Sequence, residues 1–455
     1  MSATHVVSEL EERALSKVRR YMFAYILIGQ IFYQLDRTNV GFAQLTMGKD
    51  LGLKAATFGV AASIFSIAAL IMQMPSSLLY EKFRARKWMT FNLAAWGICV
   101  VSQTFVQSGF QLTVTRFLLG IFEAGFIPCL FILMNIWLRG KDHGRAASLI
   151  MMGLGLSTLI GGPFAGWILG KSFLGLAGWR LIFLIEGILT IIWAFWSLRL
   201  LDDDPAKTRW LEPDERKFMV KYLADYQAEK KDRGAITSSR VWSMLKDSRI
   251  VLLIFGYFCT GWLAYTVTYF TPTLLKAAGR GVSNQYVGYL AVFPNIIGAV
   301  ACYYWGRHAD RTQERHFHTV VPLLVFVTGV LFYPIAKGSP LLAMFCVCVM
   351  QIGNFCFYVG IWPSIQMIAG KEAIAKAAGL INSGSLLGGF LGPVYFGWMI
   401  DMTGSTNVGL YTAAGLLVVV FIIMNVFHFR YKAQQRALVG QAAIAGNHGS
   451  SDQVL

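Results

Sequence analysis

Four charged residues stand inside apolar runs, and their types fit together. Asp36 and Arg37 follow the apolar run Tyr21–Leu35, and Arg116 and Glu123 lie seven apart in a second run. A charge near the centre of a bilayer costs about 2.5–3.5 kcal/mol on insertion scales and usually marks a functional site. Burial drives a carboxylate toward its protonated form, whereas a neighbouring arginine favours the ionised form. Asp36 and Glu123 are therefore read as proton carriers. Arginine presents a planar fork that meets a carboxylate with two parallel bonds, so Arg37 is read as the clamp for an anionic ligand. An anion that draws an arginine away would favour protonation of the carboxylate left behind. Ion pairs that only fix helix contacts are the alternative reading for all four.

Depth places these groups. Asp36 is fifteen residues into an outward-running span, roughly 22 Å from its start at about 1.5 Å per residue. Arg116, a few residues into an inward-running span, reaches a similar depth, so Asp36 and Arg116 can pair. For Arg116, structural pairing and ligand contact are equally open. Glu123 falls two turns further along the same helix face, about 10 Å away. Glu186 follows Arg180 into another apolar run and is read as a structural or interface carboxylate. From residue 250 to 400 the apolar cores contain no Asp, Glu, Lys or Arg. Neutral contacts to the remainder of a ligand would come from that stretch: Tyr265, Tyr269, Asn295, Asn354, Tyr358, Trp362, Asn382 and Ser385.

The elements that must position these residues are membrane helices. The chain has 455 residues, of which 56% are hydrophobic and 14% charged, against about a quarter charged in an ordinary soluble domain. Mean hydropathy is +0.54. About 20 apolar residues in helical form cross the roughly 30 Å hydrocarbon core, and backbone groups in lipid must bond within the segment. The blocks predict twelve spans, at about 21–44, 56–79, 88–107, 111–138, 145–169, 179–200, 250–275, 284–305, 317–336, 341–369, 376–400 and 406–429. Domain organisation follows: a segment 1–20, a first half 21–200, a charged central loop 201–249, a second half 250–430, and a tail 431–455. Pro213–Lys231 reads as a helix along the membrane surface, and the polar tail after Arg436 as disordered. The first twenty residues are polar, so no signal peptide is expected.

Lys and Arg in the short loops set the orientation. Lys82, Arg84, Arg86, Lys87, Arg139, Lys141, Arg145, Arg307, Arg311, Arg315, Lys371 and Lys376 fall on one side, and only seven cations fall on the other. The richer side is cytoplasmic by the positive-inside rule, which puts both termini there too. The same rule accounts for the net charge of +16, so nucleic acid is not an expected partner. Seven cysteines, all in apolar blocks, argue against a disulfide framework. Gly153-Leu-Gly155 sits within a span and there is no phosphate-binding loop, so nucleotide is not an expected energy source. No nucleophile or metal-ligand set is spaced for catalysis. The expectation is a protein that is not an enzyme and needs no cofactor. His308, His316 and His318 read as solvated loop residues.

The halves echo each other. Ala146–Ile150 leads to Gly162-Pro163 and Gly166-Trp167, and Ala377–Ile381 leads to Gly392-Pro393 and Gly397-Trp398. Repetition of this kind points to a site between the halves near the midplane. The loop Gly306-Arg-His-Ala-Asp310-Arg311 and the six-plus-six layout resemble the major facilitator superfamily. Within it, Leu35-Asp36-Arg37-Thr38-Asn39-Val40-Gly41-Phe42-Ala43 and Arg116-Phe-Leu-Leu-Gly120-Ile-Phe-Glu123-Ala-Gly125-Phe-Ile-Pro128 resemble the anion:cation symporter family. That family includes permeases for sugar acids, tartrate, phthalate, nicotinate and hydroxyphenylacetate. The resemblance implies an all-α membrane protein of two pseudo-symmetric six-helix halves. It implies import of a small organic carboxylate by proton symport through alternating access, in a cell inner membrane, by a monomer. Exchange or facilitated flux without proton coupling is the alternative. It also implies polar ligands at the positions of Trp362 and Asn382, and cytoplasmic gates at Asp310-Arg311 and Glu81-Lys82. The Glu81-Lys82 loop departs from the superfamily pattern, with Ser77, Glu81 and Arg84 in place of Gly, Asp and Gly.

Overall fold

The computed structural model describes residues 3–139, 141–231 and 248–448, without the side chains of 3–8, 74, 77, 81, 85, 141, 225–231, 248–249, 360–378, 427 and 430–448. The described residues are nearly all helical. In chain order the helices are α1 (Ala3–Asp50), α2 (Ala55–Phe83), α3 (Ala85–Gln103), α4 (Gly109–Glu123), α5 (Phe126–Trp137), α6 (Lys141–Ile168), α7 (Gly178–Leu200) and α8 (Pro213–Lys231). They continue with α9 (Ser248–Ala277), α10 (Asn284–Leu290), α11 (Val292–Thr312), α12 (His316–Phe332), α13 (Pro340–Thr403) and α14 (Thr406–His448). A two-residue hairpin, β1 (Ser172–Phe173) with β2 (Leu176–Ala177), links α6 to α7.

Among the described residues, nine helical stretches are long and apolar enough to cross a membrane. The other spans expected, at 21–44, 88–107 and 376–400, fall on α1, α3 and the last part of α13, which are helical but richer in polar residues and glycine. Serine caps set several helix starts. Ser108, Ser283 and Ser339 accept from the backbone N–H of Gln111, Tyr286 and Leu342 at 3.3, 3.1 and 3.3 Å, satisfying a donor that the first helical turn leaves free.

Three expectations change. The helix expected as continuous over 111–138 has a two-residue turn at Ala124-Gly125 before α5 starts at Phe126, within one membrane span, Gly109–Trp137. Gly125 in the turn lets Ser76 press against the backbone where any side chain would collide with it. Helical bonding in α13 runs on to Thr403, yet both of its ends pack on α9: Phe357 and Tyr358 lie against Tyr257, at 6.1 and 5.7 Å between rings, and Gly384 and Ser385 lie against Ile254 and Gly261. The parts of α13 before 360 and after 378 therefore lie along the same helix, α9. Helix α14 continues past Arg436 to His448, where composition had suggested disorder.

The central segment and the amino-terminal extension of α1 form one unit. Helix α8 has the expected bounds and buries Met219 and Leu223. Glu215 near its start receives Lys17 Nζ at 2.8 Å and Arg13 Nε at 3.0 Å. Burial opposes its charge, but the Lys17 bond and the Glu212 backbone N–H outweigh that and hold the Glu215 carboxyl below its usual range. Arg19 pairs with Asp142 at 3.0 Å, and Tyr21 stacks on Trp210 at 4.6 Å.

The halves meet tightly at the end away from the arginine-rich loops. Gly162 lies against the backbone of Gly288, where an added Cβ would come within 2.7 Å of the carbonyl oxygen, so α6 and α10 approach with nothing between them. At the same end, Asp401 accepts from the backbone N–H of Ala55 and Ala56 at 2.9 and 2.8 Å. A carboxylate from α13 thereby caps the start of α2 in the other half, where the helix dipole favours negative charge.

Candidate functional site

Two arginines and three carboxylates are buried inside the bundle: Arg37, Arg116, Asp36, Glu123 and Glu186. Helix α4 packs on α2 through Gly120 against Phe65, which turns Arg116 inward. Arg116 Nη1 lies 3.1 Å from Asp36 Oδ2 and Nη2 donates to the Ala62 carbonyl at 3.3 Å. The depth match read from the sequence thus corresponds to a real contact.

Glu123 has the other buried arginine as its neighbour. It shares a helix face with Arg116, but its partner is Arg37, whose Nη1 lies 2.6 Å from Glu123 Oε1. The same nitrogen donates to the Tyr33 carbonyl at 2.8 Å, and neither Glu123 oxygen has a well-aligned hydrogen bond among the described residues. Proximity of charge therefore dominates this contact. The Arg37 guanidinium also lies over the Tyr33 ring at 3.6 Å and near the Phe65 ring at 4.5 Å, contacts that favour a cation in a dry site. Tyr33 and Phe65 were not singled out in the sequence. Their helical spacing from Asp36 and Ala62 is the one signal that could have found them.

The second half contributes aromatic and amide groups. Tyr265 on α9 lies near Arg37, and the hydroxyl of fully buried Tyr269 has no partner among the described residues. Asn382 is partly buried on the limb of α13 that packs on α9. The Trp362 side chain lies outside the described residues. A ladder of neutral groups joins the halves: Asn295 Nδ2 donates to Thr158 Oγ1 at 3.0 Å, Gln351 Nε2 to Asn295 Oδ1 at 2.6 Å, and Asn354 Nδ2 to Gln351 Oε1 at 3.2 Å. Gln351 was missed in the sequence, although an amide three residues before Asn354 in an apolar run marks a shared polar face. The cavity beside the ladder, lined also by Thr38, Thr268 and Thr271, has about 20 Å³ of room, enough for about one water.

The residues read as gates sit at the arginine-rich end. Asp310 is exposed, its side chain 74% accessible, and takes both Arg315 guanidinium nitrogens at 3.1 Å. Arg311 and Lys82 are exposed, Lys82 lying 5.5 Å from the Phe83 ring. The Glu81 side chain lies outside the described residues. The histidines are not loop residues, and only His308 is exposed, while His316 is half-buried. His318 is buried and bridges His308 Nδ1 at 2.8 Å and Glu314 Oε2 at 3.0 Å, and His316 stacks on His428 at 3.7 Å. All three lie on helices, because α11 extends and α12 begins beyond the apolar blocks. Among the described residues no three His, Cys, Asp or Glu side chains are grouped to hold a metal ion.

Known proteins agree with this architecture. A protein from Agrobacterium vitis named "Putative tartrate transporter" is 35% identical over 92% of this chain and 92% of its own length. "Inner membrane transport protein RhmT" of Escherichia coli is 27% identical over 91% of this chain and 95% of its own. Among solved structures, a bacterial homolog of the human lysosomal transporter Spinster, in an inward-facing and unoccupied conformation, superposes with a TM-score of 0.70 at 15% identity, covering 90% of this chain and 96% of that one. The nucleoside transporter NupG gives a TM-score of 0.67 at 12% identity, with 91% and 98% covered. These two show the fold alone. The family model described as Major Facilitator Superfamily matches residues 26–393. With this family match and a 35% identical relative named as a transporter, the chain belongs to the Major Facilitator Superfamily and is a multi-pass membrane transporter rather than an enzyme.

Proposed function

We propose that this protein imports a small organic carboxylate together with protons across a bacterial inner membrane. The contact that carries the proposal is Arg37 against Glu123 at 2.6 Å. Arg37 neutralises Glu123 while the site is empty. A substrate carboxylate takes the arginine's fork, Glu123 loses its counter-charge, and a buried carboxylate without one binds a proton. Loading of the anion and of the proton are thereby linked. Asp36 with Arg116 forms the second such pair, and Tyr265, Trp362 and Asn382 meet the rest of the substrate. The arginine-rich end faces the cytoplasm, with Asp310-Arg311 and Glu81-Lys82 as its gates, and the protein works as a monomer within the bilayer. The name of the Agrobacterium vitis relative supports an organic acid as cargo.

Exchange of one anion for another is the second reading, favoured by the arginines' pairing with carboxylates, because one anion can replace another on Arg37 without any proton. Purified protein in liposomes separates the two. With labelled tartrate outside and an inwardly directed proton gradient, symport accumulates label above equilibrium, and a protonophore stops it. Uptake that needs internal counter-anion and ignores the proton gradient would overturn symport in favour of exchange.

A further inference from the structure

Glu186 is the buried carboxylate that the two arginines leave over. It stands on α7, 5% exposed. Asn39 Nδ2 donates to its Oε2 at 2.8 Å, and Oε1 has no partner. Among the described residues no Lys, Arg or His lies within ion-pair distance of it, since Arg37 is taken by Glu123 and Arg116 by Asp36. The charged groups that act on it come from α1 and α4: Asp36 first, then Arg116 and Glu123. Helix α3, packed along α7, buries the amides of Asn92 and Gln103 and, as its one buried titratable group among the described residues, the thiol of Cys99. A lone carboxylate in such a place is far costlier ionised than neutral. Asn39 also follows Asp36 by three residues on one face of α1, and Asp36 Oδ1 is likewise buried and unpartnered. Two carboxyl groups with vacant oxygens are thus attached to adjacent positions of one helix face, one through its side chain and one through Asn39.

We propose that Glu186 is a third proton carrier, which holds a proton in this conformation and exchanges it with Asp36 when Asp36 parts from Arg116. In that step the O–H bond at Glu186 breaks and one forms at Asp36. Glu186 becomes the carboxylate, still bonded by the Asn39 amide, and neutral Asp36 no longer holds Arg116. An aqueous proton from whichever side is open later restores Glu186. The inference rests on the proton-symport reading.

Glu186→Gln retains an acceptor for Asn39 and nearly the same volume but has no acid to exchange. The measurement is the substrate gradient that just balances a fixed proton gradient in liposomes, which gives protons carried per substrate. Wild type should show a whole-number ratio and E186Q a ratio lower by one, while tartrate counterflow shows that the variant is folded. An unchanged ratio in E186Q overturns the role of Glu186 but leaves symport standing. A wild-type ratio of zero removes symport itself and this inference with it. Should E186Q lose counterflow, a lipid-soluble carbodiimide applied to wild type decides the matter, because it modifies neutral carboxylic acids in preference to carboxylates. Mass spectrometry should find the adduct on Glu186, and modification confined to other carboxyls would overturn the proposal.

Discussion

The two halves bury different kinds of polar group. The first half holds five charges in its interior, on α1, α4 and α7. The described interior of the second half holds amides, hydroxyls and tyrosines, joined through Asn295, Gln351 and Asn354. A buried ion pair is a poor glue, because desolvation offsets much of its attraction, but removing one partner is strongly destabilising. That makes the first half responsive to anything that competes for Arg37 or supplies a proton. Neutral ladders do not change charge with pH, so the second half can act as a stable wall.

The largest effect should come from removing the titrating group that Arg37 holds. Glu123→Gln should abolish accumulation driven by a proton gradient and leave part of the exchange activity. Normal accumulation by that variant would place the coupling elsewhere and erase the contrast between the halves. Arg37→Lys keeps the charge but replaces a planar fork with a point donor. Calorimetry on the purified protein should show tartrate binding about tenfold weaker, or ~1.4 kcal/mol, and an unchanged affinity in Arg37→Ala would mean that the anion sits elsewhere.

A smaller effect belongs to the second half. Asp310→Asn should leave intrinsic affinity nearly intact and shift the conformational balance toward opening at the arginine-rich end. Because Asp310 is exposed and pairs with Arg315 of the same loop, the expected size is about 0.2–1 kcal/mol, at most a roughly fivefold change in population. Cysteine labelling at that end of the interior should rise, and labelling that stays constant would reduce the loop to a topological anchor. The smallest effect on transport is expected at Glu215. Its carboxyl is held below its usual range by Lys17 and backbone N–H, so its contribution is complete above the ordinary carboxylate value of about 4.3 and disappears as pH falls through the lower folded value. Hydrogen exchange along α8 should be slow at neutral pH and accelerate below about pH 4, and Glu215→Gln should remove that dependence. Equal exchange at both pH values would show that burial of Met219 and Leu223 alone docks the helix.

Residue types and their order determined a good deal alone. Long apolar runs in lipid have to be helices, because no water is present to satisfy a stretched backbone, so the placement of most helices was legible within a few residues. The polar Pro213–Lys231 helix was legible from composition, and the Asp36–Arg116 contact from depth, since a helix advances by a constant rise. Which side chain meets which across helices was decided only by tertiary structure. Spacing put Glu123 on the helix face of Arg116, and only the packing of α1 into the bundle brings Arg37 to it. The close approach of Ser76 to Gly125 comes from another helix, and the burial of His318 depends on helix ends that extend beyond the apolar blocks. Glu186 shows the limit most plainly: in the sequence it is one carboxylate after an arginine, and only the folded bundle, by giving both buried arginines to other partners, leaves it with an amide and no counter-charge.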